Sequence, residues 1–365
     1  MTEGTLAPPE TRRRSWPFFA GLFATIWSFA YLVLGFLWSQ GVDGYPFGPE
    51  ADEQWVLSAL GGVPVGVGAP TIAVIGLIGT VVAVVMTIDA GRGPIRVVLT
   101  WFAWAMAVGL AVVVPDYRVL LTAAYTPILL VSSLFGGPSV SLLFDVLTWP
   151  VVNQFVSILG GIAWAGTALA YQRSSRGACP SCGRPAERWT TPESAARWGR
   201  LAVGVAVVVP ILYAVTRLAW ALGIPLGISE EFLDELQAGG ATGAGAALGV
   251  SGIIGAILTI GLIRPWGEEF PRWFPFIGGK RVPISLAVIP AGLVSIMVTS
   301  AGLMFVRLTW FGKPFSLGAD QMTLDEDWAA LAPELLWPIW GLGLGAAALA
   351  YYYRRRDTCT RCGRG

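Results

Sequence analysis

Eight apolar runs, each about as long as a bilayer is thick, constrain this chain more than any other feature. A helix rises 1.5 Å per residue, so about 20 apolar residues cross a hydrocarbon core of roughly 30 Å. The runs fall near 15–39, 65–88, 97–115, 150–172, 200–223, 243–264, 283–307 and 331–353. Lipid offers the backbone no hydrogen-bond partners, so continuous runs of this length must be helices. Only 13% of residues are charged, against about 25% in a soluble domain, and they cluster between the runs. The predicted fold is an all-α integral membrane protein with eight transmembrane helices.

The first run follows Arg12, Arg13 and Arg14 and is longer than a signal-peptide core. No Ala-x-Ala cleavage pattern follows it, so a retained helix is expected. Orientation is read from lysine and arginine near the span ends. Arg12–Arg14, Arg92 and Arg96, the run from Arg173 to Arg200, that from Arg264 to Arg281, and Arg354–Arg364 share one side. The opposite loops are acidic: Asp43, Glu50, Asp52 and Glu53, then Glu230, Glu231, Asp234 and Glu235, then Asp320, Asp325, Glu326 and Asp327. Both termini are therefore expected in the cytosol, with the chain in a bacterial cytoplasmic membrane. The segment 119–134 is apolar but short, and it carries Pro127, Thr122, Ser132 and Ser133. Crossing there would turn the first cysteine pair outward, so a re-entrant or interfacial segment on the outer side is expected.

Offsetting the chain by about 180 residues aligns four places in order. Tyr31, Trp38 and Gly41 match Tyr213, Trp220 and Gly223. Gly76-Leu77-Ile78-Gly79 matches Gly252-Ile253-Ile254-Gly255, and the same register carries Gly91 onto Gly267 and Arg96 onto Arg272. Arg96-Val97 and Arg281-Val282 open the third helix of each set. Ala168-Leu169-Ala170-Tyr171 matches Ala348-Leu349-Ala350-Tyr351, each tyrosine standing eight residues before a Cys-x-x-Cys. Two parallel four-helix repeats follow, because an even number of spans returns the chain to the side it left. The organisation is a tail (1–14), a first repeat (15–172), a linker (173–199), a second repeat (200–353) and a tail (354–365). Small-residue stripes (Gly245, Gly249 and Gly252; Gly341 and Gly345) are expected to pack the seam between the halves.

All four cysteines lie in the two pairs, Cys179–Cys182 and Cys359–Cys362, each followed by Gly-Arg. A two-residue gap lets both thiolates face one metal, and four thiolates complete a closed tetrahedral zinc shell. A single zinc site shared by both tails is the expectation. Redox pairs and unliganded tails are the alternatives; no thioredoxin-like pattern surrounds either pair.

Ionisable groups in or near spans are costly and mark functional sites. Asp116 and Arg118, Asp145 and Asn153, and Tyr213 with Arg217 form a candidate outer polar pocket; snorkelling and local salt bridging are the simpler explanation. Trp266, Arg272, Trp273, Lys280 and Arg281 mix rings with charges in a segment suited to the inner leaflet or to a partner protein.

Histidine is absent, which removes His-ligated metals and His general bases. Net charge is +1, so no electrostatic case exists for nucleic acid. No phosphate loop, nucleophile elbow or metalloprotease helix occurs. The chain is not expected to be an enzyme, an intramembrane lipid enzyme being the one class left open.

Pro265-Trp266-Gly267-Glu268 and the paired Cys-x-x-Cys-Gly-Arg resemble actinobacterial multi-pass membrane proteins over most of the chain. In topology alone the chain is similar to membrane partners of extracytoplasmic-function sigma factors, although it lacks their sizeable cytosolic helical domain. The acidic outer loops, the sparse charge within the spans and the basic segment Gln172–Arg200 point to a signalling or regulatory membrane protein with a cytosolic partner. A transporter with a site between the repeats and a membrane scaffold are the other readings; the identity of a small-molecule ligand is not encoded in any motif.

Overall fold

The computed structural model describes residues 16–52, 54–136, 141–184, 188–311 and 327–363. Its helices, in chain order, are α1 (Trp16–Ser39), α2 (Val65–Thr87), α3 (Pro94–Val108), α4 (Tyr117–Ser133), α5 (Ser141–Val146) and α6 (Trp149–Ser175). They continue with α7 (Pro192–Ala221), α8 (Glu230–Ala238), α9 (Ala241–Gly261), α10 (Ile284–Phe311), α11 (Trp328–Leu335) and α12 (Trp337–Arg355). Among the described residues, eight spans are long and apolar enough to cross a membrane: α1, α2, α3 with its π turn (Gly109–Val113), α6, α7, α9, α10, and α11 with α12. This is a multi-pass, all-helical architecture. The one strand-like pairing among the described residues is an antiparallel bridge between Glu269 and Arg281.

Local chemistry sets the boundaries. Helix α7 begins well before the apolar onset near 200, because Thr191 caps it, accepting from the Ser194 amide, and Pro192 opens it. Ser229 likewise caps α8, with Glu230 and Glu231 in its first turn. The 119–134 segment is helical: α4 contains Pro127, and the hydroxyls of Thr122 and Thr126 bond back to carbonyls four residues earlier. Both ends of this excursion lie at one level, since Asp116 meets Gln154 of α6 and Trp149 Nε1 donates to the Gly44 carbonyl at 2.7 Å.

Contacts between loops define two faces. On one, Tyr171 and Ser174 at the end of α6 reach Ala90 and Asp89 between α2 and α3. There too, Arg354 and Arg355 of α12 reach Leu262, Glu268 and Val282. Both cysteine pairs lie on this face. On the far face Arg118 reaches Asp52, Arg307 reaches the Val56 and Leu57 carbonyls, and Arg217 reaches Ala329. In the first half α1 packs along α2 and α6, and α3 along α6; in the second α7 packs along α9 and α12, and α10 along α12.

Trp164, fully buried on α6, centres the first half's core with Ala24, Ala83 and Ala103, and Phe102 meets its ring edge-on at 5.7 Å. Tyr351, also fully buried, does the same in the second half with Val203, Ala206 and Leu344. The glycine stripes pack within the second half, not across the seam. Gly249 and Gly252 lie against Ala214 and Pro210 of α7, Gly245 is near Arg217, and Gly341 and Gly345 meet Ser295 of α10. The halves instead join through α10: Ser300 Oγ donates to the Pro115 carbonyl at 2.6 Å, and Tyr117 packs on Phe305.

Candidate metal centre and buried ion pairs

The two cysteine turns are built alike. Gly183 N donates to the Cys179 carbonyl at 2.7 Å, and Gly363 N to that of Cys359 at 2.8 Å. Gly183 (φ 73°) and Gly363 (φ 65°) take the left-handed conformation that closes each turn and that only glycine adopts freely. The four Sγ atoms lie within 4.8 Å of one another, and Cys182 Sγ stands 3.5 Å from Cys362 Sγ. Arg356 donates to the Cys182 carbonyl, Arg184 to that of Asp357, and Arg173 and Trp16 to that of Ser181. The first three place guanidinium charge around the thiols. Burial pushes the Cys182 thiol up to about 12, while the Cys362 backbone amide holds Cys359 down to about 6.

On the far face the expected polar residues separate into distinct groups. Asp116 caps α4, accepting from the Arg118 amide at 2.9 Å, and takes Arg118 Nε at 3.0 and 3.1 Å. The other end of that guanidinium forks onto Asp52, at 2.9 and 2.7 Å. Gln154 completes the group, donating to Asp116 Oδ2 at 2.7 Å and accepting from its amide. Two carboxylates thus hold one guanidinium, pinning the 40–64 loop to α4 and α6. Asn153 is turned away to Tyr31, whose hydroxyl donates to its Oδ1 at 2.5 Å. The Asp145 side chain, like the 1–14 tail, lies outside the described residues.

Arg217 belongs to the second half. Its guanidinium stacks between the rings of Tyr213 (4.5 Å) and Trp220 (4.3 Å) and donates to the Ala329 carbonyl at 3.1 Å. It also forms an ion pair with buried Glu334, whose Oε2 has no hydrogen-bond partner among the described residues. An aromatic path of Tyr213, Trp337, Phe305 and Tyr117 connects this pair to the first group. Gln154 and Glu334 escape the sequence reading, and Asp52 enters it only as a loop acid. Glu334 carried a signal, as the one carboxylate within the last span; Asp52 sits among other loop acids and carried none.

The 264–283 segment folds into a knob on the cysteine face, closed by Phe270 N to the Lys280 carbonyl (2.9 Å) and Val282 N to that of Glu268 (2.9 Å). It presents Trp273 and Phe276, 78% and 95% exposed, near Arg272, Lys280 and Arg281. Phe276 has φ 66°, a strained conformation for a bulky side chain. Trp266 instead packs against Gly261.

Fold and site together define a multi-pass helical membrane protein in which four cysteines from two distant segments meet at one face. Compared with protein families, curated proteins and solved structures, the chain matches none.

Proposed function

We propose that the chain is a signalling or regulatory membrane protein made of two parallel four-span units, clamped at the cytosolic face by one zinc ion on Cys179, Cys182, Cys359 and Cys362. The observation that carries this reading is the meeting of four thiols from segments 180 residues apart. Sulfurs about 2.3 Å from a tetrahedral zinc stand about 3.8 Å from each other, close to the 3.5 Å of Cys182 and Cys362. The arginine-rich cysteine face fits the cytosol by the positive-inside rule, and the cytosol keeps thiols reduced for a metal. Duplication is supported by the like packing of the two halves and by Tyr171 and Tyr351. Each of these donates its hydroxyl to a carbonyl of the preceding loop on that face, Ala90 and Gly267.

Regulation is favoured because the same spans carry a far-face polar group at one end and a cysteine pair at the other. Gln154 lies in the first turns of α6 and Cys179 just past its end; Glu334 lies in α11 and Cys359 just past α12. A change at either ion pair reaches the clamp along one span. The surface for a cytosolic partner is the cysteine face, with the aromatic knob anchored at the inner leaflet.

Metal analysis of the detergent-purified protein is the first test. One zinc per chain is expected, with none in Cys179→Ser or Cys359→Ser; a metal-free wild type refutes the clamp. In cells, Cys359→Ser should reproduce the transcript changes of a deletion strain, and a wild-type profile would refute the regulatory role. One observation favours transport: Glu334 is a carboxylate inside a span, and one of its oxygens has no partner among the described residues. Proton-coupled flux in proteoliposomes that Glu334→Gln abolishes would establish that reading instead.

A further inference from the structure

The cysteine face carries a shallow recess that the metal centre does not use. A cleft of about 370 Å³ is lined by Arg188, Trp189, Ser194, Arg197 and Trp198, where the chain enters α7. That volume lies at the small end of ligand sites, which begin near 300 Å³. Its walls are tied to their surroundings: Trp198 Nε1 donates to the Trp189 carbonyl at 3.0 Å, and the Trp189 ring meets Tyr353 edge-on at 5.4 Å. Ser194 Oγ accepts from Arg197 at 3.1 Å, steering that guanidinium. Neither Arg188 nor Arg197 forms an ion pair among the described residues, and Glu193, the acidic residue in the first turn of α7, pairs with neither. The N-terminus of a 30-residue helix adds positive potential at the same place.

Position identifies the occupant. Leu201, 73% exposed, begins the lipid-facing surface of α7 less than one turn after Trp198. Tryptophan rings settle at the headgroup level of a bilayer, so the two guanidiniums stand where lipid phosphates lie. Guanidinium pairs phosphate through two parallel N–H donors, and basic pockets between spans on the cytosolic side take anionic headgroups.

We infer that this cleft binds the headgroup phosphate of an anionic phospholipid from the leaflet on the cysteine side. The bound lipid also touches the clamp's surroundings. Trp189 leans on Tyr353, Arg356 stacks on Tyr353, and Arg356 donates to the Thr190 and Cys182 carbonyls.

The test is native mass spectrometry of the full-length protein in detergent, titrated with phosphatidylglycerol or phosphatidylcholine at equal concentration. One phosphatidylglycerol per chain should be retained in preference to phosphatidylcholine. Retention should fall about 10-fold or more in Arg188→Gln/Arg197→Gln, given two headgroup-level arginines, and stay unchanged in Arg92→Gln, an exposed arginine on the same face. Arg188→Lys/Arg197→Lys should retain more than the Gln pair, tying the loss to charge. Equal retention of phosphatidylcholine, or full retention by the Gln pair, overturns the inference. So does equal loss in the Lys and Gln pairs, which marks lost structure. Displacement of the lipid by millimolar inorganic phosphate also overturns it, revealing a soluble-anion site.

Discussion

Gly76 and Gly252 occupy aligned positions in the two halves, yet the structure gives them opposite tolerances to a methyl group. A Cβ on Gly76 would stand 2.5 Å from the Leu32 amide nitrogen, 2.8 Å from Leu32 Cα and 2.8 Å from the Ser28 carbonyl oxygen. Ordinary contact begins at 3.4 Å, so 3.4 − 2.5 leaves 0.9 Å to be found. All three atoms belong to the α1 backbone, so no side-chain rotation relieves the clash. Gly35 presses the opposite way, its Cβ position 2.5 Å from the Ala73 amide nitrogen, which leaves α1 and α2 no room to slide. Overpacking of this kind costs about 1–3 kcal/mol, against a helix-propensity gain of at most about 1 kcal/mol for Gly→Ala. At Gly252 the nearest atom, the Pro210 carbonyl oxygen, would be 3.4 Å away, which is ordinary contact. Gly76→Ala is therefore expected to destabilise by about 1–2 kcal/mol, and Gly252→Ala to stabilise by up to about 1 kcal/mol. Unfolding by sodium dodecyl sulfate in mixed micelles, followed by circular dichroism, measures both. Equal losses in the two variants, or an unchanged midpoint for Gly76→Ala, would refute the close crossing of α1 and α2.

Two further expectations rest on the far face. Arg217→Met should cost about 3–5 kcal/mol by leaving the Glu334 carboxylate buried alone, whereas Arg217→Met/Glu334→Leu should cost less than either single change. Additive losses in that double-mutant cycle would sink the pairing. Asp52→Asn gives up half of a bidentate, charge-assisted fork and should free the 40–64 loop. Hydrogen exchange there should speed up with the α6 amides unchanged, and an unaltered loop would show that Asp52 does not hold it.

The spans were legible because the bilayer dictates their length, and their edges were less so because capping overrides hydropathy. Thr191 and Pro192 start α7 among polar residues, where an apolar window sees nothing. Segment 119–134 looked irregular because of Pro127, yet its threonine hydroxyls bond the α4 backbone and the helix persists. The meeting of the cysteines was legible in two like pairs with like spacing. The partners of the far-face charges were not, because Asp52 reaches Arg118 across 66 residues and Glu334 reaches Arg217 across 117, distances that only packing closes. The glycine stripes showed where backbones approach, but helical spacing does not say which neighbour fills them.

The thiol cluster also sets an order in time. Cys179 and Cys182 leave the ribosome after four spans, and Cys359 and Cys362 only after all eight. In the proposed clamp, the first pair waits for its partner throughout synthesis of the second half. Its closure is thus possible only once the last span has been inserted with its end on the correct side, so an assembled cluster records a completed topology.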